Sequence, residues 1–186
     1  MELKKGTSAR SADNLRPALK EGEERRILSV LVDNESGVLA RVIGLFSGRG
    51  YNIENLTVAE TDHTGNRSRI TIVTTGTPMV IEQIKAQLVR MVPVHRVRDL
   101  TIEGPHVARE LALVKVAGSG DHRVEALRLK DAFRAQVVDA GLDSFVFELT
   151  GNPDKIDSFC DLMRPLGLVD VVRTGVAAMS RGPEGM

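Results

Sequence analysis

Apolar and polar positions change period several times along this chain, and the changes mark its elements. Residues 25–32 read Arg-Arg-Ile-Leu-Ser-Val-Leu-Val, a short run rich in branched side chains that predicts a mostly buried strand. Asp33-Asn34-Glu35-Ser36-Gly37 is turn and cap chemistry, with Ser36 the expected N-cap. Apolar positions then recur at 38, 39, 42, 43 and 46, the spacing of one helical face, and Gly50 is the natural stop. A strand over 53–60, a hairpin-like turn at 62–66 and a strand over 67–75 follow. Thr77-Pro78 predicts a cap with proline at the first helical position. Ile81, Ile84, Leu88 and Met91 make the second stripe, Pro93 ends it, and a strand runs over 94–102. The order is βαββαβ.

After a punctuated linker at 103–107 the order recurs. The second half predicts a strand over 108–117, a helix from 121 to about 133 carrying Val124, Leu127 and Leu129, and a short strand over 136–139. A strand over 144–150 and a helix over 153–163 come next. Ile156, Phe159, Cys160 and Met163 have core spacing on that helix, and one closing strand runs over 168–178. Two βαββαβ units in tandem predict an α+β chain of two ferredoxin-like sandwiches, helices on one face of each antiparallel sheet. The expected divisions are a disordered tail over 1–24, a first domain over 25–102, a second over 108–179 and a flexible end over 180–186.

Composition narrows the chemistry. Lys and Arg total 25, as do Asp and Glu, so the chain as a whole has no electrostatic pull toward nucleic acid or an anionic membrane. Aromatics are 3% of residues, with no Trp, which disfavours a base-stacking surface. The single cysteine, Cys160, excludes an intrachain disulfide and suits a reducing compartment, so a cytoplasmic location is expected. Its place in an apolar stripe predicts a packed thiol rather than a nucleophile. The histidines 63, 95, 106 and 122 fall in separate elements without metal-ligand spacing. No catalytic constellation or metal site is expected. Arg67, Arg69, Arg96 and Arg98 form a possible basic strip, read here as a solvated sheet face.

Residues 34–42, Asn-Glu-Ser-Gly-Val-Leu-Ala-Arg-Val, are the most informative segment. A helix that begins just after a buried strand offers backbone N–H groups and partial positive charge to a carboxylate. Gly37 lets a ligand approach the backbone, Asn34 brings a donor and an acceptor, and Val38 and Leu39 bring apolar lining. Simple helix capping is the competing explanation of the same residues.

The segment 34–46, followed by Arg49-Gly50-Tyr51-Asn52-Ile53-Glu54, closely resembles the ACT domain of the acetolactate synthase small subunit. The likeness continues through 69–72, 82–84 and 109–116, and again at 173–175 and 180–182. It covers roughly 25–182 and implies a regulatory subunit without catalysis of its own. On that resemblance the large subunit is the partner and carries thiamine diphosphate, Mg²⁺ and FAD. This chain would bind no cofactor itself. It would stimulate the large subunit and confer feedback inhibition by valine or a related branched-chain amino acid. The resemblance also implies side-by-side pairing of ACT domains with ligand at the interface: Asn34, Gly37, Val38 and Leu39 from one protomer, Asn52 and Ile53 from the other. Asn55 and Thr57 are candidate additional contacts. The alternatives are an ACT-type sensor serving a different enzyme, a small sandwich enzyme acting on acyl phosphates, and a dimeric scaffold without ligand.

Overall fold

A computed structural model describes residues 18–62 and 65–186. Residues 1–17 of the expected tail, and His63 and Thr64 of the expected turn, lie outside the described residues. The chain forms two compact units. One comprises residues 18–110 with 174–186, the other 111–173.

The first unit opens with strand β1, Glu24–Asp33, and helix α1, Val38–Arg49. Strands β2, Asn55–Asp62, and β3, Arg67–Gly76, come next. Helix α2, Pro78–Val89, and strand β4, Val94–Asp99, complete it. All pairings are antiparallel in the order β2-β3-β1-β4, so β2 is an edge, as βαββαβ order requires. The pleat divides the sheet's residues by parity. Leu28, Val30, Val32, Ile70 and Ile72 face the helices and pack with Val42, Phe46, Ile81, Ile84 and Leu88 in one core. Ile27, Ser29, Leu31, Arg69, Thr71 and Val73 line the opposite face.

The helix signals act as their chemistry predicts, with one exception. The Gly50 N–H, at φ 68°, donates to the carbonyls of Phe46 and Ser47 and closes α1. The Thr77 side chain accepts from the Val80 N–H, and Pro78 starts α2. Ser36, however, does not cap α1. The N-cap is Gly37, at φ 89°, and no side chain bonds to it.

Strand β5, His106–Ala117, serves both units, because its first residues pair with a strand from the chain's far end. The expected single strand over 168–178 is two strands: β8, Leu168–Arg173, and β9, Ala177–Ser180. Between them Gly175 takes φ 88°, a left-handed turn that a continuous strand does not contain. His106–Arg109 pair with Ala177–Ser180. This ribbon covers part of the first sheet's open face, where Val176 and Ala178 pack with Ile27, Val73, Leu100 and Ala108. Residues 103–107 are therefore not a simple linker, since β5 begins at His106. Residues 180–186 are not a free tail either: Ser29 Oγ donates to Met186 Sδ at 2.9 Å.

The second unit repeats the architecture. Helix α3 is Gly120–Phe133, β6 is Gln136–Ala140, β7 is Ser144–Gly151, and α4 is Pro153–Met163. The strand order is β6-β7-β5-β8. Phe145, Phe147, Leu149, Ile156, Phe159 and Met163 anchor its core. Asn152 caps α4 by accepting from the Lys155 N–H at 2.9 Å. Val124 is exposed, and Ala126 is the buried residue of α3. Among the described residues no helix is long and apolar enough to cross a membrane.

Candidate functional site

Asn34 sits where β1 hands over to α1, its N–H donating to the Asn66 carbonyl at 2.7 Å. That bond ties the β1–α1 turn to the β2–β3 turn and leaves the Asn34 side chain exposed. Three residues on, the chain reverses at Gly37. A Cβ built there meets nothing within 4 Å, so the space above the first turn is open. Val38 is buried and anchors the turn in the core, whereas Leu39 is 38% exposed and looks outward. The uncapped N–H end, the open glycine and the outward Leu39 form one surface suited to a carboxylate beside an aliphatic group. Arg41 bonds Glu35 across this turn at 3.2 Å.

Asn52 and Ile53 lie elsewhere. Asn52 Nδ2 donates to Thr75 Oγ1 at 2.9 Å, and the Thr74 hydroxyl donates to the Asn52 carbonyl at 2.6 Å. Ile53 is half-buried against the first core. Arg25 grips Glu54 with two bonds, 2.6 and 2.9 Å, and fixes the start of β2. Beside Asn52 is a cavity of about 460 Å³ bordered by Leu19, Lys20, Arg49, Tyr51, Asn52 and Thr75. The first two were assigned to the tail, and nothing in their polar surroundings marked them as a wall.

The six candidate residues thus form two groups at opposite ends of the sheet. Asn34 follows Asp33, which stands opposite Arg67 at the start of β3, and Asn52 neighbours Thr75 near its end. Eight residues of strand separate those points, about 25 Å at the usual rise. One amino-acid-sized ligand does not touch both groups of a single chain. Asn55 and Thr57 face inward: Asn55 Oδ1 accepts from the Val176 N–H at 2.8 Å, and Thr57 donates to the Val176 carbonyl at 3.0 Å. They fasten β9 to the sheet, in place of the contacts to a second copy expected of them.

Cys160 is buried on α4, and burial pushes its thiol up to about 11. Desolvation also raises Glu103, but its bond from the Asp99 N–H and the Arg98 guanidinium outweigh it and hold the carboxyl below its usual range. His95 meets Asp33 at 2.5 Å. Among the described residues no three of His, Cys, Asp or Glu gather as metal ligands would.

A βαββαβ sandwich with an open glycine turn between its first strand and first helix defines an ACT-type module, here followed by a second ferredoxin-like unit. Residues 28–96 match the family model for the AHAS small subunit-like ACT domain. Residues 109–182 match that for the small subunit of acetolactate synthase. The chain is 50% identical over 159 residues to the acetolactate synthase isozyme 3 small subunit of Salmonella typhimurium, covering 85% of this chain and 96% of that one. It is 44% identical over 158 residues to a probable acetolactate synthase small subunit of Archaeoglobus fulgidus, covering 85% and 98%. The crystal structure of the acetolactate synthase small subunit from Thermotoga maritima superimposes with a TM-score of 0.76 at 33% identity, covering 87% of this chain and 99% of that one. The chain belongs to the acetolactate synthase small-subunit family.

Proposed function

We propose that this chain is the regulatory subunit of acetolactate synthase, working in the cytoplasm and silent without its large subunit. It stimulates that subunit, which carries thiamine diphosphate, Mg²⁺ and FAD. It confers feedback inhibition by binding valine between two copies of the ACT domain. The observation that carries the shared site is that Asn34 and Asn52 sit at opposite ends of β3, about 25 Å of strand apart at the usual rise. A twofold axis across α1 and the β2 edge brings the Asn34 end of one protomer to the Asn52 end of its partner.

The outer face of α1 supports that pairing. Leu39 and Ile43 are 38% and 40% exposed, and Ala40, Gly44 and Gly48 beside them allow close approach. Edge strand β2 exposes Val58, opposite Ile70 on the sheet face that carries the helices, and offers unpaired backbone groups.

The deciding experiment measures acetolactate formation by the large subunit, with and without this chain, across a valine titration. The chain alone should form none. Its addition should raise the rate, and valine should lower the stimulated rate. No effect on the cognate large subunit would overturn the assignment and favour a sensor for another enzyme.

A further inference from the structure

The arginines at 67, 69, 96 and 98 were read from the sequence as a solvated strip, but the register gives them a common face and part of it is covered. Ser29 stands opposite Thr71 on one side and Arg98 on the other, and Leu31 stands between Arg69 and Arg96. Partners directly opposite share a face, so Arg69, Arg96, Arg98 and Ser29 all project from the sheet side away from α1 and α2. Residues 179–186 run over that side and border a partly open cavity of about 200 Å³, several water volumes in size, lined by Ser29, Arg69, Arg98, Met179, Glu184 and Met186.

Two polar groups here are poorly served. Arg69 Nε is buried without a hydrogen-bond partner, a costly condition for a cationic donor. Ser29 is 1% exposed, and its hydroxyl donates to the Met186 thioether, a weak acceptor. Arg98 is held in place by Glu103, Nε to carboxylate 3.0 Å, which leaves the rest of its guanidinium for another acceptor. Positive charge, an orphaned N–H and a hydroxyl therefore meet in a small space.

We infer that this cavity is a second ligand site, separate from both ends of α1, that binds a small oxyanion between Arg69 and Arg98 with the Ser29 hydroxyl as third donor. The shared chemistry is a compact oxygen anion, either a phosphoryl group or a carboxylate. Arginine suits both, because its planar donors match two oxygens at once.

Calorimetric titration of the full chain with inorganic phosphate, and separately with malonate, at matched ionic strength and with chloride as control, tests this. Saturable binding of about one anion per chain is expected from phosphate, malonate or both, and none from chloride. Binding of one alone identifies the source. Arg69→Gln should weaken binding about tenfold or more, as loss of a bond to a charged group predicts. Arg69→Lys, which keeps the charge but lacks Nε, should weaken it less, and it stands in if Arg69→Gln fails to fold. Absence of binding by both anions, or equal affinity in wild type and both variants, would overturn the site.

Discussion

At Gly37 the backbone and the proposed ligand make separate demands, and substitutions tell them apart. Its φ of 89° is a conformation that side chains adopt at a cost of about 1–3 kcal/mol, Asn and Asp most readily. Gly37→Asp and Gly37→Asn therefore carry similar backbone strain, and only Asp puts a negative charge where the ligand carboxylate approaches. Gly37→Asp should abolish valine inhibition while stimulation persists, and Gly37→Asn should leave a weakened response. Equal loss in both would assign the effect to the backbone and refute the charge argument. Gly175 poses a different test. A Cβ there would fall 2.4 Å from Asn55 Nδ2, at φ 88°. Gly175→Ala should destabilise the first unit by about 2 kcal/mol in urea unfolding, because it displaces the side chain that holds the Val176 N–H. Stability within a few tenths of a kcal/mol of wild type would show that β9 contributes little. The sequence signals at these two glycines differ in kind. Gly37 follows a strand and opens an apolar stripe, so a helix start was readable there, although the cap itself falls on Gly37 rather than on Ser36. Gly175 interrupts a run of branched residues, and its meaning depends on Asn55, 120 positions away.

Among the elements, α4 shows how completely a local pattern decides a thiol's fate. Ile156, Phe159, Cys160 and Met163 share the buried side, and burial pushes Cys160 from its usual 9.0 up to about 11. At pH 8 the folded thiol is almost wholly protonated, so a disulfide reagent should react only as the unit opens, in step with denaturant unfolding. Fast reaction of the native chain would contradict the packing. The sign of the pH dependence follows from the same shift. Between about 9 and 11 the unfolded chain loses the Cys160 proton and the folded chain keeps it, so stability falls as pH rises through that window. Glu103 has the opposite sign. Its lowered folded value contributes stability that is present above its usual 4.5 and lost as pH falls below it. The helices were legible because 3.6-residue stripes, Thr77-Pro78 and Gly50 are local signals. The division of the last strand was not, since β9 exists only by pairing with His106–Arg109. A hydrogen-bonding partner supplied from about 70 residues away leaves no periodicity of its own.

For the whole molecule, the proposed valine site, divided between the two ends of one sheet, would make assembly a requirement of binding. If valine lies between protomers, each site joins the Asn34 end of one chain to the Asn52 end of the other. Asn34→Ala and Asn52→Ala should each weaken valine by roughly 1.5–3 kcal/mol, the worth of hydrogen bonds to a charged group. Either homodimer then holds two singly damaged sites. A mixed dimer, one variant per chain, holds one doubly damaged site and one intact site. Calorimetry on mixed dimers, isolated through two different affinity tags, should therefore recover about half the valine sites at near-normal affinity. Asn52 already spends Nδ2 on Thr75 Oγ1, so on the proposed reading its side-chain Oδ1 is the atom left to accept from the ligand ammonium, and Asn52→Asp should be tolerated better than Asn52→Ala. Two equally weakened sites in the mixed dimer would place both asparagines in one protomer's pocket. A separation of about 25 Å along β3 forbids that arrangement in the fold described here, so that result would refute the fold's placement of Asn52 together with the shared site.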